Sequence, residues 1–256
     1  MSVAQVVLLA LVALQAWLVP TFISRLPEPP AEAETQPETQ LQEGGEDGAG
    51  ESPLAKVLRE EGPKELYAVV ARIKHLAPVC VVVSLVLAFA VSARLGNHPV
   101  TWVIALLTPT LVLLSVVDWR TRLLPRVVVL PASGVLLVLA VGEWAFTHHT
   151  DVLVRTLVAA LLARSFFWVL WAVRRAGMGF GDVRLAALVG LVLGRVSWNS
   201  WILGMYGGLL LFSFYGIGLT LLRRDVRMLK KHLPYGPFMV MGLYAGLLLS
   251  GSLKVI

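Results

Sequence analysis

Eight apolar stretches occupy most of this sequence, and each is close to the length that a helix needs to cross a bilayer. They cover approximately residues 2–24, 76–93, 99–117, 127–146, 152–173, 183–200, 201–222 and 238–253. A membrane-crossing helix requires about 20 predominantly apolar residues. Only 15% of the 256 residues are charged, against roughly 25% in soluble domains, which excludes a soluble cytosolic enzyme. We therefore predict an all-α, polytopic membrane protein with about eight transmembrane helices.

The acidic residues are concentrated in one segment of the chain. Residues 28–65 contain 11 of the 16 acidic residues and three basic residues, and the segment is rich in Pro, Glu, Gln and Gly. Such a composition cannot bury enough apolar surface to offset the entropy of ordering the chain. We predict a first transmembrane helix at 1–24, a cytoplasmic, disordered acidic linker at 25–65 and a polytopic domain at 66–256. The end of the linker, residues 54–67, is compatible with a short interfacial helix.

The basic residues predict how the chain is oriented in the membrane. Seventeen Lys and Arg residues lie on one side of the predicted helices and three on the other, while Arg155 and Arg164 lie within the fifth helix. Cytoplasmic loops carry the excess of Lys and Arg, so we expect both termini outside the cytoplasm. Because the basic residues lie at the ends of apolar runs, we expect the lipid bilayer, and not nucleic acid, as their partner.

Two aspartates are predicted to share one membrane face. Beyond residue 65 the acidic residues are Asp118, Glu143, Asp151, Asp182 and Asp225. Asp118 ends the third predicted helix and Asp182 begins the sixth, so two crossings separate them and both lie on the same side. Two neighbouring carboxylates can act as an aspartyl hydrolase, in which the ionised carboxylate deprotonates water and the protonated one polarises the scissile carbonyl.

Each aspartate could also have a purely structural role. Asp182 could be the N-cap of its helix, and Asp118 could be an ordinary residue at the membrane surface. A carboxylate at a helix C-terminus opposes the helix dipole, so the helix either continues past Asp118 or a neighbouring group compensates.

Only about 12 residues separate Asp182 from Arg195. Either Arg195 extends toward the surface and the helix reaches Trp198, or Asp182 lies below the cytoplasmic surface.

The residues around the two aspartates resemble a known family. Asp118 and Trp119 are followed by Arg-Thr-Arg-Leu-Leu-Pro, and Asp182 lies in Gly-Met-Gly-Phe-Gly-Asp-Val-Arg-Leu. Together these motifs resemble the type IV prepilin peptidases, which are membrane aspartyl proteases of the GxGD class. Two weaker matches flank them, Arg-Leu-Pro at 25–27 and Leu-Pro-Tyr-Gly-Pro-Phe at 233–238. The resemblance covers nearly the whole chain outside residues 28–65.

The resemblance implies a function and a set of site residues. It implies that Asp118 and Asp182 are catalytic and that Gly179 and Gly181 shape the loop. The substrate would be a prepilin-like membrane protein, such as a type IV pilin or pseudopilin, cut at the cytoplasmic face of the inner membrane. Bifunctional members carry paired cysteines after the first helix and also N-methylate the product. The acidic linker has no cysteine, so we expect a peptidase-only member with no cofactor and no metal.

Arg164 lies near the middle of the fifth predicted helix, where a charge is costly and often functional. We consider it a candidate to pair with a substrate acid or a buried carboxylate. The alternative function is a transporter or channel in which Asp118, Arg164 and Asp182 line a polar path, and a third is a structural membrane subunit. Glycines at four-residue spacing, at 190/194, 204/208 and 242/246, predict close helix packing. The sequence makes no prediction of the oligomeric state.

Overall fold

The described part of the chain is helical. A computed structural model describes residues 2–27, 67–173, 179–223 and 233–250. Its helices are α1 (Val3–Trp17), α2 (Val19–Ile23), α3 (Tyr67–Ala71), α4 (Leu76–Leu95), α5 (Pro99–Thr121), α6 (Arg126–Thr147), α7 (Thr150–Val173), α8 (Phe180–Val196), α9 (Trp198–Arg223) and α10 (Gly236–Leu249). Within these ranges no strand occurs, so the all-α prediction is confirmed there. The predicted linker beyond Pro27 and the interfacial helix up to residue 66 lie outside the described residues.

Every predicted apolar stretch overlaps at least one helix in the described residues, but the helices differ in length. Five of those described are long and apolar enough to cross a membrane, namely α4, α5, α6, α7 and α9. The remaining apolar stretches form shorter helices: 15 residues in α1, 17 in α8 and 14 in α10. Length and composition therefore support five crossings in this part of the chain. The protein is a multi-pass helical membrane protein.

Two helix boundaries differ from those predicted. Helix α8 begins at Phe180 and ends at Val196, and Ser197 is extended with φ −169° before α9 starts at Trp198. The helix therefore stops just beyond Arg195, and the side chain of Arg195 pairs with Glu143 of α6. Near the N-terminus, helix is interrupted at Leu18. The interruption falls just before Pro20, because proline has no N–H to donate to the preceding turn.

Helix α8 is the centre of one half of the bundle. It packs most extensively on α7 and also contacts α6, α9 and α10. The other half consists of α1, α4 and α5, and α10 contacts both halves. Buried side chains of both halves, including Leu111 and Leu114 of α5 and Leu185 and Leu188 of α8, belong to one hydrophobic core.

Glycines let the helices of the α8 half approach closely, as their spacing predicts. A Cβ added at Gly190 would lie 2.7 Å from the Cα of Ala160 in α7. In the α9–α10 contact, a Cβ at Gly242 would lie 2.5 Å from the main-chain nitrogen of Gly208. Any side chain at these positions would push the helices apart. The described glycine pairs are therefore packing positions.

Candidate active site

Asp118 lies in the last turn of α5, which continues to Thr121. Arg122 ends the helix in the left-handed conformation with φ 56°, and its main-chain N–H donates a 2.9 Å hydrogen bond to the carbonyl of Asp118. The side chain of Asp118 is 4% exposed. Its Oδ2 accepts a 2.8 Å hydrogen bond from the main-chain N–H of Gly236. The helix therefore continues beyond Asp118, and a neighbouring group also compensates the carboxylate.

Gly236 is the first residue of α10, so the positive end of that helix faces Asp118. A Cβ at Gly236 would lie 2.7 Å from Oδ2 of Asp118, which is too close for any side chain. In the sequence, the turn at 233–238 is only a weak family match and has no predicted role. Counting crossings could have placed this turn on the membrane face of the aspartates. Its contact with Asp118 has no local signal in the sequence.

Asp182 occupies the third position of α8, and its N-cap is Gly179. The interpretation of Asp182 as an N-cap is therefore wrong. From the third position a carboxylate can reach back to the N-cap N–H, as in a capping box, and Gly179 supplies that backbone hydrogen bond. Asp182 is 7% exposed, and its Oδ1 is buried without a hydrogen-bond partner. Gly177 and Met178 lie outside the described residues.

The structure brings the two aspartates together. They come from the last turn of α5 and the first turn of α8, and the charge of Asp118 acts directly on Asp182. Arg122 is the cation whose charge acts on Asp118. Two buried carboxylates that interact disfavour double ionisation, so they tend to share a proton. This arrangement has the components that acid–base catalysis by an aspartate pair requires.

Tyr235 adds a phenol to the same site. It precedes Gly236, is 4% exposed, and packs against Phe167 of α7 and Phe212 of α9. Burial raises the pKa of the Tyr235 phenol, and the negative charge of Asp182 raises that pKa further. The phenol therefore stays protonated beside Asp182. The sequence predicts no functional role for Tyr235.

The two glycines of the motif differ in their surroundings. A Cβ at Gly181 would lie 2.8 Å from the Cβ of Leu124, so the loop between α5 and α6 passes very close to the start of α8. At Gly179 the nearest atom to an added Cβ, Oδ2 of Asp182, would be 3.9 Å away, an ordinary contact. Gly179 also has φ −73°, which any residue can adopt. Only Gly181 is at a position where a side chain would clash.

Arg164 lies on α7 with its side chain exposed. Its charge acts on Arg184 of α8, and across the described ranges no ion pair or hydrogen bond joins it to Asp118 or Asp182. The structure therefore places Arg164 near another arginine, without a bond to either carboxylate in the described residues.

Comparison with known proteins supports one family. Residues 104–222 match the type IV leader peptidase family model, a range that includes both aspartates. The chain is 30% identical over 179 residues to the "Prepilin leader peptidase/N-methyltransferase" of Aeromonas hydrophila, an alignment covering 69% of this chain and 59% of that relative. It is 31% identical over 173 residues to the protein of the same name from Pseudomonas putida, covering 66% of this chain and 57% of that relative.

These alignments span less than two thirds of the relatives' own length. No solved structure gave a significant match. The matched residues include the ends of α5 and α8 on which the two interacting aspartates lie. The matches support the type IV leader peptidase family for the part of the chain that contains both aspartates.

Proposed function

We propose that this protein is a membrane-embedded aspartyl endopeptidase that removes the leader of prepilin-like proteins at the cytoplasmic membrane face. The observation that carries the proposal is the pair of buried, interacting carboxylates contributed by α5 and α8. In this proposal Asp118 and Asp182 are the catalytic residues. The family match and the names of the relatives support the peptidase class and its substrate.

The surroundings of the carboxylates suggest how they divide the reaction. Asp118 accepts the N–H of Gly236 and has Arg122 nearby, both of which stabilise its ionised form. As the base, it would take a proton from the attacking water. Oδ1 of Asp182 has no partner within the described protein, so a proton on that oxygen can be donated to the scissile carbonyl. As the tetrahedral intermediate collapses, the proton held by Asp118 passes to the leaving amine, and the proton on the former carbonyl oxygen returns to Asp182.

The orientation follows from the distribution of basic residues. Arg122 and Arg126 follow Asp118 closely, and Arg184 follows Asp182, so the side with excess positive charge is also the side with the aspartates. Cytoplasmic loops carry such an excess. We therefore propose that the site faces the cytoplasm from the inner membrane. Gly181 has the loop-shaping role in this proposal, because it allows Leu124 to approach the start of α8.

A transporter or channel would require polar groups along a continuous path. In the described residues the aspartates lie at one end of the bundle, and Arg164 is exposed on α7 without a bond to either. A cavity of about 550 Å³ between α5, α6 and α8 is lined mainly by apolar side chains. These observations favour the peptidase over the transporter.

Incubation of the purified protein with a prepilin tests the proposal. As the family resemblance implies, we expect a single cut after the glycine that precedes the hydrophobic N-terminal helix of the prepilin, detected by mass spectrometry of the product. Asp118→Asn and Asp182→Asn should each abolish the cut, and Asp151→Asn, which changes an exposed aspartate at the start of α7, should retain it. An uncut prepilin with the folded wild-type protein would refute the proposed function.

A further inference from the structure

Three arginines from three helices lie together on the side of α8 that faces away from Asp182. Arg126 begins α6, Arg164 lies on α7 and Arg184 lies on α8. The charges of Arg126 and Arg164 both act on Arg184. Two residues along a helix turn the side-chain direction by about 200°, so Arg184 and Asp182 lie on different faces of α8. We call these three residues the arginine cluster.

The packing of α7 on α8 explains why Arg164 lies near Arg184. A Cβ added at Gly190 of α8 would lie 2.7 Å from the Cα of Ala160 in α7, so these two positions are in direct contact. The two helices run in opposite directions, and one further turn of α7 therefore places Arg164 level with residue 186 of α8. That level is about 3 Å along the axis from Arg184.

The described part of the chain supplies no acid for the arginine cluster. Its ion pairs and hydrogen bonds join none of the three guanidinium groups to a carboxylate, and the guanidinium carbon of Arg184 lies 4.8 Å from the ring centroid of Phe180. Arg126 and Arg164 are exposed, and Arg184 is half-buried. Neighbouring like charges raise the free energy of the folded state, and an anion placed among them lowers it. The cluster is therefore suited to an anionic partner.

Residues 28–51, which we call the acidic segment, carry the opposite charge. They contain eight acidic residues and no basic residue. The described helices on either side of this part of the chain lie together, because α2 packs against α3 and both Leu26 and Tyr67 belong to one hydrophobic core. The Tyr67 hydroxyl donates a 3.2 Å hydrogen bond to the carbonyl of Leu123, between α5 and α6. Both attachment points therefore lie at the end of the bundle that carries the aspartates.

The attachment points are also close to the arginine cluster. Arg126 follows Leu123 by three residues, which span at most about 11 Å. A coil of 24 residues has an end-to-end distance of roughly 27 Å, so the acidic segment is long enough to reach the cluster from Pro27. A partner tethered in this way has an effective concentration in the millimolar range. A free anion has no such advantage.

We propose that the acidic segment docks on the arginine cluster, so that its carboxylates pair with guanidinium groups of α6, α7 and α8. The segment then joins three helices on the side of α8 away from Asp182. The pairing is independent of the proposed function, because it requires neither substrate nor turnover. Since the arginines are at least partly exposed, the contact weakens as the ionic strength rises. The competing occupant is the phosphate of an anionic lipid.

Photo-crosslinking of the full chain tests the proposal. A photoreactive residue replaces Trp168, one turn beyond Arg164 on α7, in vesicles of phosphatidylcholine and phosphatidylglycerol. The matched probe replaces Val154, which is equally exposed on the same helix but lies toward its opposite end. Mass spectrometry identifies the captured group. We expect the Trp168 probe to capture peptides from residues 28–51 and the Val154 probe to capture none of them.

Substitutions on both sides of the contact show whether charge pairing causes the capture. We expect its yield to fall about tenfold when the eight acids of the acidic segment are changed to Gln or Asn, and equally when Arg126→Gln, Arg164→Gln and Arg184→Gln are combined. Arg72→Gln, which removes an exposed arginine outside the cluster, should leave the yield unchanged. If the triple arginine variant does not fold, the variant of the acidic segment decides, because it leaves every described residue intact.

Two results would overturn the proposal. Capture of lipid alone by the Trp168 probe in the wild-type chain would assign the arginine cluster to lipid phosphates. Capture of the acidic segment that persists after its carboxylates are removed would show that the contact does not depend on the arginines.

Discussion

The main-chain N–H of Gly236 donates a 2.8 Å hydrogen bond to Oδ2 of Asp118, which joins the first turn of α10 to the last turn of α5. This contact links residues 118 positions apart in the chain. It fixes one oxygen of Asp118 and directs the positive end of α10 toward the carboxylate. The turn before α10 is therefore part of the site.

Gly236→Ala tests the importance of this contact. A methyl group at residue 236 would lie 2.7 Å from Oδ2 of Asp118, so the carboxylate or the turn must move. We expect kcat on a prepilin to fall about a hundredfold, as for a catalytic group displaced by 1 Å. Gly218→Ala on α9 is the control, because an added Cβ there meets no atom within 4 Å. Wild-type kcat in a folded Gly236→Ala variant would show that the contact does not position Asp118.

The two glycines before Asp182 should differ in their tolerance of substitution. Gly181→Ala places a Cβ 2.8 Å from that of Leu124, whereas Gly179→Ala meets nothing closer than 3.9 Å. We therefore expect Gly181→Ala to lose most activity and Gly179→Ala to retain it, measured as the initial rate of prepilin cleavage. The reverse order would show that the first glycine is required for a reason other than the space around it.

The Tyr235 phenol should not titrate within the working range of the enzyme. Burial and the charge of Asp182 both raise its pKa, and a raised pKa keeps a phenol neutral to higher pH. Any loss of activity at alkaline pH must then come from another group. We expect the pH–rate profiles of wild-type and Tyr235→Phe to have the same alkaline midpoint, even if their heights differ. A shift of that midpoint in Tyr235→Phe would assign the alkaline loss to the tyrosine.

The ion pair of Glu143 and Arg195 joins α6 to α8 at the end of the bundle away from the aspartates. Nε of Arg195 donates to Oε2 of Glu143 at 2.8 Å, and the side chains are 39% and 18% exposed for Glu143 and Arg195, respectively. For a partly exposed pair we expect a coupling energy of about 1 kcal/mol. A double-mutant cycle with Glu143→Gln and Arg195→Gln, followed by thermal unfolding in detergent, measures it. Strict additivity of the two substitutions would show that the pair contributes nothing to stability.

The sequence predicts the helices well because the bilayer imposes their length and polarity. Counting crossings also placed Asp118 and Asp182 on one face, and the structure brings them into interaction. The sequence predicts a boundary at residue 200, whereas one helix ends at Val196 and the next begins at Trp198. Polar residues are spread from Arg195 to Ser200, so hydropathy alone cannot locate the junction within that stretch. The sixth helix is predicted to start near residue 183 but begins at Phe180, because Phe180 and Gly181 extend α8 toward the N-terminus.

The contacts that complete the site depend on packing between distant helices. Tyr235 and Gly236 reach the aspartates only because α10 lies against α5 and α8. The apolar cavity is assembled from α5, α6 and α8, which are far apart in the sequence. Neither feature has a periodic or compositional signal in the sequence.

The most direct test of the central claim is the rate of prepilin cleavage by Asp118→Asn, Asp182→Asn and the double variant. Residues that act as one catalytic unit lose nearly the same activity singly and together. The account predicts that each single variant falls by about 10⁴-fold or more and that the double variant is no slower. Near-normal cleavage by either single variant, or losses that multiply in the double variant, would contradict the assignment of Asp118 and Asp182 as a catalytic pair.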